Sequence, residues 1–337
     1  MINVGINGMG RIGRTIIRQW LNREMGNNFN IVAVNNPGNP NEVTHLLKYD
    51  SVHGRLNETV NLNDDNSTLT IGDKTLTFHA QTDPAEINWG KDNVQLVIDA
   101  TGIFKDKAGL GRHIHDTVKK VIMCAPGKDL DGTFVMGIND KLYDHDNHHI
   151  VSNASCTTNC LAPLAKVLND KFKIKSGFMT TIHAYTSDQR ILDGNHSDPR
   201  RSRSAALSMI PTTTGAAKAV GLVIPELKGK LDGFAVRVPT PDVSFVDLVC
   251  KLEKNVTIDE VNNAIREASE NELKGILTYE DQPLVSVDFV GMKESSCVDT
   301  AMTNIIDDMV KVVSWYDNEV GFSNRVVDLA NLICSKL

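Results

Sequence analysis

The run Ile2-Asn3-Val4-Gly5-Ile6, leading into Asn7-Gly8-Met9-Gly10-Arg11-Ile12-Gly13, constrains the fold of this chain more than any other segment. A short apolar strand meets glycines spaced G-x-G-x-x-G, after which Ile12, Ile16, Ile17, Trp20 and Leu21 recur at helical spacing. Strand, glycine turn and helix in that order open a doubly wound parallel sheet. Gly8, Gly10 and Gly13 allow a tight turn and a close main-chain approach to a pyrophosphate, and the helix N-terminus supplies N–H donors and the positive end of its dipole. A plain βα turn is the other reading of the same glycines.

The next strand, Ile31 to Val34, ends in Asn35-Asn36, where a unit of this type presents an acid to the adenosine ribose. Asn36 is neutral. A carboxylate there would bind a 2′-hydroxyl and repel a 2′-phosphate, so the amide weakens a preference for NAD and leaves NADP open. Val94 to Ala100 closes on Thr101-Gly102, and Val121 to Ala125, which contains Cys124, closes on Pro126-Gly127. Apolar runs ending in small residues are typical of parallel strands with a ligand along their carboxyl ends. Leu56 to Val60, Thr68 to Ile71 and Thr75 to His79 are short alternating segments broken by turns, and predict an antiparallel insertion.

With 337 residues, 41% of them apolar, the chain can bury two separate cores. Composition shifts near residues 150 to 155. Beyond that point residues 176–187, 234–239, 242–253 and 309–316 alternate as longer strands, predicting a mostly antiparallel sheet. Ile258, Val261, Ile265 and Ala268 form one helical stripe; Phe322, Val326, Leu329, Ala330 and Ile333 form another that closes the chain. The fold class is therefore α/β plus α+β. An N-terminal Rossmann-type domain spans 1–153, a mostly antiparallel catalytic domain spans 154–318, and a C-terminal helix, 319–337, returns to the first.

Thirty-five basic against 42 acidic side chains leave a formal charge of −7, without the basic surface a nucleic-acid or anionic-membrane partner requires. No apolar stretch is long enough to span a bilayer, and the first residues read as a strand rather than a signal peptide, so a cytoplasmic location is expected. The six cysteines form no disulfide framework and no Cys-x-x-Cys pair, and no metal site is expected.

Cys156 stands at a strand-to-helix junction in Ser155-Cys156-Thr157-Thr158-Asn159-Cys160. A thiol there meets the unpaired N–H groups and dipole of a helix start, which favour thiolate and make it a candidate nucleophile. A small buried core residue is the bland alternative. Pro163 is easiest to accept in a first turn or at a kink. His183, on a strand end 27 residues later, could take the thiol proton and move a second one; a satisfied sheet histidine is the alternative. Residues 188–205 carry Arg190, Arg200, Arg201 and Arg203 in a polar loop, suited to an anion site or to a salt-bridged interface. Thr212-Thr213-Thr214-Gly215 adds hydroxyl and backbone donors. Arg237, alone among apolar strand residues, needs an anion or a buried acid.

Taken together, these stretches resemble the phosphorylating glyceraldehyde-3-phosphate dehydrogenase family. The matching blocks are Asn7 to Arg14, His45 to Ser51, Ser152 to Cys160, Thr180 to Arg190, Pro211 to Ala219, Arg237 to Pro241 and Ser314 to Glu319. The resemblance implies oxidation of D-glyceraldehyde 3-phosphate to 1,3-bisphosphoglycerate with NAD(P), through a hemithioacetal and a thioester on Cys156, with His183 as base. It implies that Thr186 and Arg237 hold the substrate phosphate, that Ser155, Thr157, Thr214 and Gly215 hold inorganic phosphate, and that Arg201 serves both. It assigns Arg11-Ile12 to the pyrophosphate, Asn318 to the nicotinamide carboxamide, and Asn36, Thr101, Gly102 and Cys124 to the cofactor's surroundings. It also implies a homotetramer with the 188–205 loop at an interface.

The chain departs from the family pattern around the cofactor. Asn36 replaces Asp, Gly194-Asn195 replaces Leu-Pro, Thr82 stands where arginine is common, Cys124 where serine is, and Phe322 where tyrosine is. Together these changes favour dual or NADP-leaning use, with the preference for NAD relaxed, so the cofactor is NAD and/or NADP. The alternative activities are a sister dehydrogenase of erythrose 4-phosphate, a cysteine hydrolase that needs no dinucleotide, and a binding protein without catalysis.

Overall fold

The computed structural model describes residues 1–23 and 26–337. The chain divides into two compact units: Met1–Phe134 with Asp140–Ala154 and Ser323–Leu337, and Val135–Asn139 with Ser155–Phe322. The division is less simple than a single cut near 153, because Val135–Asn139 belongs to the second unit and the return to the first begins at Ser323 rather than at 319.

The first unit is built on a nine-stranded sheet. From one edge its strands run Gly132–Thr133, Ile150–Ser152, Lys120–Met123, Leu96–Asp99, Ile2–Asn7, Phe29–Asn35, Lys74–His79, Thr68–Ile71 and Val60–Leu62. All pairs are parallel up to Lys74–His79; the last two are antiparallel, which is the expected insertion. The ladder of the insertion begins at Val60, so Leu56 to Glu58 lie outside it. The chain starts in the middle of the sheet and winds outward both ways, so the strand order reverses beside Ile2–Asn7. Such a switch point opens a crevice at the strands' carboxyl ends.

Gly13 explains why the glycine loop is specified so tightly. A Cβ at Gly13 would stand 2.0 Å from the carbonyl oxygen of Gly8, which no backbone accommodates. Helix Arg11–Leu21 buries Ile16, Ile17 and Trp20 against the sheet, at roughly 2 kcal/mol for each side chain removed from water. The C-terminal helix, Val320–Cys334, is seated in this unit by Arg23 Nη1 on Asp328 Oδ1 at 2.6 Å and by Asn28 N on Asn331 Oδ1 at 2.7 Å.

The second unit carries an eight-stranded sheet in the order Ile210–Thr213, Leu231–Val238, Ile174–Ala184, Ser244–Leu252, Met309–Tyr316, Ser296–Asp299, Leu277–Glu280, with Asn304–Ile306 beside Met309–Tyr316. It is mostly antiparallel; Ile174–Ala184 with Leu231–Val238, and Leu277–Glu280 with Ser296–Asp299, are parallel. Pro211 is tolerated because its strand is an edge.

Among the strand ends that differ from the alternation in the sequence, three have a visible cause. Residues 185–187 leave the sheet as Tyr185 N turns to Thr240 O. Val243, at φ 66°, keeps the next strand from starting before Ser244. The Leu231–Val238 strand starts earlier than its apolar run because Leu231, Asp232 and Gly233 pair with Gly177, Phe178 and Met179. Helix Cys156–Phe172 is buried on nearly all sides from Thr157 to Asn169, whereas Ile258–Glu270 buries one side and is opened by a Thr257/Glu260 capping box.

Candidate active site

Cys156 is the first residue of the helix Cys156–Phe172, and Ser155 is its N-cap. Ser155 Oγ accepts from Thr158 N at 3.1 Å and pairs with Thr158 Oγ1 at 2.8 Å, so helix geometry is set where the thiol is attached. Pro163 lies well inside the helix, beyond the first turn, one of the two places expected for it. Pro163 cannot donate to the carbonyl of Asn159, and tertiary burial of nearly every residue from Thr157 to Leu168 offsets that loss.

His183, the penultimate residue of its strand, places Nε2 3.5 Å from Cys156 Sγ. Its Nδ1 lies 2.7 Å from the carbonyl oxygen of Ala184. A carbonyl only accepts; Arg237 Nη1, which only donates, lies 3.0 Å from the same Nδ1 but has the Ala184 carbonyl at 3.1 Å to receive its hydrogen, so the shorter carbonyl contact puts the imidazole proton on Nδ1 and the Nε2 lone pair faces the thiol. Arg237 is His183's register partner across the parallel pair, and its Nη1 reaches Ala184 O at 3.1 Å, Thr186 Oγ1 at 3.4 Å and the vicinity of His183 Nδ1 at 3.0 Å. Two donors, imidazole and guanidinium, thus converge on the Ala184 carbonyl.

Two effects oppose each other at the thiol, the helix start that favours thiolate and the burial that disfavours it. Burial pushes the Cys156 thiol up, with Arg237, Thr157 and the helix-start N–H groups pulling against it. Burial, then the Arg237 charge, lowers His183 from 6.5 to about 3. Each group alone therefore rests neutral, and the pair is poised for a proton to pass from Sγ to Nε2 as sulfur attacks. Transfer creates both charges together, 3.5 Å apart, where their attraction counters the cost of burying them.

Arg237 is largely buried, burial works against its charge, and its Nε has no hydrogen-bond partner. Among the described residues no carboxylate pairs with it. Of the two partners open in the sequence, the buried acid is absent. An unneutralised guanidinium beside a nucleophile is a receptor for an anion.

The remaining candidates in this unit divide by their commitments. Thr186 N donates outside the sheet, to Gln189 Oε1 at 3.3 Å, and Thr186 Oγ1 accepts from Arg237 Nη1 at 3.4 Å, which leaves Thr186 on the Arg237 side of the dyad. Thr214 Oγ1 accepts from Ala216 N at 3.2 Å, and Gly215 opens the helix Ala216–Val223 with nothing within 4 Å of where a Cβ would stand. Arg201 is held by Thr212 Oγ1 at 2.9 Å, Asp188 Oδ2 at 2.6 Å and Thr213 O at 3.2 Å. Asn318 Oδ1 accepts from Ser244 Oγ at 2.7 Å, and Ser244 Oγ accepts from Ala184 N, which ties Asn318 to the His183 strand end.

Tyr316 was not singled out by its position in the sequence. Its buried hydroxyl bridges Thr157 Oγ1 at 2.8 Å and Thr181 Oγ1 at 2.9 Å, and its ring meets the His183 ring edge-on at 5.9 Å. It links the start of the cysteine helix to the strand carrying the base. Only strand order could reveal this, since Tyr316 is 159 residues from Thr157.

In the first unit, the glycine loop fits a dinucleotide phosphate. Gly8 has φ 95° and would press a Cβ to 2.8 Å from Thr101 N, whereas Gly10, the helix N-cap, has nothing within 4 Å of its would-be Cβ. A side chain at Gly10 would fill that open space over the helix start. Arg11 is bound bidentately by Asp50, at 3.2 and 3.3 Å. Burial raises the Asp50 carboxyl, but backbone donors of His53 and Val52 and the Arg11 charge outweigh it and hold the group at about 2. Ile12 occupies the same first turn. Asn36 Oδ1 accepts from Met9 N at 3.3 Å, so this amide braces the glycine loop. Gly102 has φ 66° beside Thr101, and Cys124 N donates to Asp99 O at 2.9 Å, with burial pushing its thiol well up. Among the described residues no helix is long and apolar enough to cross a membrane.

Comparison with known proteins identifies the family. Residues 2–107 match the NAD binding domain of glyceraldehyde 3-phosphate dehydrogenase, and residues 155–318 match its C-terminal domain. Over 336 residues the chain is 55% identical to the glyceraldehyde-3-phosphate dehydrogenase of Priestia megaterium, to glyceraldehyde-3-phosphate dehydrogenase 1 of Bacillus subtilis and to the Geobacillus stearothermophilus enzyme, covering 99% of this chain and 99% of each relative. The erythrose 4-phosphate alternative finds no support among them. A buried thiol–imidazole pair beside an unneutralised arginine, a glycine cradle at a sheet's switch point and this end-to-end similarity converge: the chain belongs to the glyceraldehyde 3-phosphate dehydrogenase family.

Proposed function

We propose that the chain catalyses the phosphorylating oxidation of D-glyceraldehyde 3-phosphate to 1,3-bisphosphoglycerate with NAD or NADP. The observation that carries the reading is Arg237, buried without a carboxylate within reach of both His183 and Thr186. Its charge calls for an anionic substrate group beside a nucleophile.

Cys156 Sγ bonds to the aldehyde carbon while its proton passes to His183 Nε2, which returns it to the new alkoxide and gives a hemithioacetal. The bound nicotinamide supplies the acceptor for the hydride on that carbon. His183 takes the hydroxyl proton as the carbonyl re-forms, leaving a thioester on Cys156. Inorganic phosphate then attacks the thioester carbon, the C–S bond breaks with its electron pair on sulfur, and the thiol regains a proton.

Arg237 and Thr186 hold the substrate phosphate. Ser155, Thr157, Thr214 and Gly215 serve the attacking phosphate, and Arg201 buttresses the Thr212-Thr213 segment beside them. Gly8, Gly10, Arg11, Ile12 and Gly13 cradle the pyrophosphate, Arg11 through its main chain because Asp50 engages its guanidinium. Asn36, Thr101, Gly102 and Cys124 surround the cofactor, and Asn318 orients the carboxamide.

Cofactor preference is relaxed in this reading, because Asn36 and Gly194-Asn195 lack the features that favour NAD. Side-by-side kinetics check it: a preference for NAD above about a hundredfold, roughly 2.7 kcal/mol, defeats it. Exposed Ile191, Leu192, Leu207 and Met209, in and just after the arginine-rich loop, support a homotetramer, which light scattering would read. Six cysteines without a disulfide among the described residues support a cytoplasmic location.

The decisive experiment is Cys156→Ser with phosphate-dependent cofactor reduction as the readout. Loss of more than about 10³-fold, roughly 4 kcal/mol of barrier, is expected. A drop under tenfold would reassign the nucleophile.

A further inference from the structure

Beneath the glycine loop lies a buried polar chain that the proposed chemistry does not use. Asp99 ends the strand Leu96–Asp99, on one side of the switch point, and is 1% exposed. Its Oδ1 accepts from Thr101 N at 3.1 Å and Thr101 Oγ1 at 2.7 Å. Its Oδ2 accepts from Asn7 Nδ2 at 2.8 Å and faces His113 Nε2 at 3.2 Å. Asn7 Oδ1 in turn accepts from Asn35 Nδ2 at 2.8 Å, and Asn35 clasps the main chain of Gln81 at both its N–H and its C=O. The chain thus joins the carboxyl ends of three adjacent parallel strands, those that end in Asn7, Asn35 and Asp99.

His113 anchors the other end. It is fully buried, and its Nδ1 lies 3.2 Å from Trp89 Nε1. An indole N–H only donates, so Nδ1 must accept and the imidazole proton sits on Nε2, pointed at Asp99. Asn7 Nδ2, 3.3 Å from His113 Nε2, is then a second donor to the same carboxylate oxygen rather than a partner of the ring. Trp89 cannot shift to release the tautomer, because its ring packs where a Cβ on Gly5 would stand, 2.5 Å away. Four donors converge on one carboxylate, and two of them belong to Thr101, whose N–H is 2.8 Å from the would-be Cβ of Gly8.

We infer that His113 is a positioning residue for dinucleotide binding: through Asp99 it fixes Thr101 against Gly8 and so sets the shape of the cradle. This inference rests on the dinucleotide reading above and deepens it. Without a donor at Nε2, Asp99 Oδ2 loses one of its two partners while remaining buried, and the carboxylate can turn away from Thr101. The loop then samples shapes that do not fit a pyrophosphate, and affinity falls by the fraction of time lost. The chemistry in the other unit is untouched.

The test compares His113→Gln with His113→Asn in the full-length enzyme. Both amides offer one acceptor to Trp89 and donors besides, but only the longer glutamine also reaches Asp99. Expected for His113→Gln is a KM for NAD within about threefold of the parent. Expected for His113→Asn is a KM raised tenfold or more, matched by a tenfold weaker dissociation constant for NAD in equilibrium dialysis, with kcat at saturating cofactor within twofold and a similar melting temperature; an unchanged dissociation constant overturns the inference. Equal KM values in the two variants overturn the inference. Should His113→Asn not fold, Trp89→Phe carries the test, since it frees the tautomer while keeping an aromatic ring: a several-fold rise in KM at constant kcat supports the inference and a parental KM overturns it. A parent enzyme that reduces no nicotinamide at all would instead sink the dinucleotide reading itself.

Discussion

Nη1 of Arg237 stands 3.0 Å from Nδ1 of His183, so the imidazole of the pair faces a permanent cation across the parallel strands. Burial and this cation together lower His183 from 6.5 to about 3. Between those two values the unfolded chain binds a proton that the folded chain refuses, so this contribution to stability is fully present above pH 6.5 and is lost as pH falls toward 3. The slope is up to about 1.4 kcal/mol per pH unit for one group. Urea midpoints of the parent should therefore drop more between pH 7 and pH 5 than those of His183→Asn; parallel losses in the two proteins would disprove the assignment.

Because burial holds the Cys156 thiol protonated, its reactivity should depend on the imidazole 3.5 Å away. Alkylation by iodoacetamide at pH 7 is expected to slow at least tenfold in His183→Asn. The variant's rate should then climb with pH as the thiol ionises unaided. Mass spectrometry of the labelled cysteine reads this directly, and an unchanged rate at neutral pH would mean the thiol ionises without the base.

Tyr316→Phe removes a buried hydroxyl that joins Thr157 to Thr181 and leaves the ring in place. A loss of about 1–3 kcal/mol of unfolding free energy is expected from the two hydrogen bonds. A several-fold fall in kcat should accompany it as the cysteine helix and the histidine strand lose their brace. Unchanged stability would show that the threonines re-pair without it.

The glycines of the loop should separate folding from binding. Gly13→Ala forces a Cβ to 2.0 Å from Gly8 O and should cost more than about 3 kcal/mol in stability. Gly10→Ala meets nothing in the protein, so its melting temperature should stay within a few degrees of the parent while the KM for the cofactor rises tenfold or more. A normal KM in Gly10→Ala would place the phosphates elsewhere.

Much of this was written in local patterns. The strand Met309–Tyr316 appears at the limits its alternation marks, and the insertion strand Thr68–Ile71 likewise. Short elements such as Ser296–Asp299 and Asn304–Ile306 carry too few residues to show a period, and they exist only because a neighbouring strand pairs with them. The helix start that favours thiolate at Cys156 is visible in the sequence, whereas the burial that pulls the thiol the other way is not.

The sequence by itself determined the strand–glycine–helix start of the first unit, the strand-to-helix junction that carries Cys156, and the family to which these blocks belong. Each depends on residues adjacent in the chain, whose spacing and backbone freedom are local properties. Tertiary structure alone decided that Arg237 lies beside His183 without a carboxylate, that Tyr316 ties the thiol's helix to the base's strand, and that Trp89 sets the tautomer of His113. Those depend on which strands become neighbours across long separations, and that choice is made by the burial of the whole sheet rather than by any segment of it.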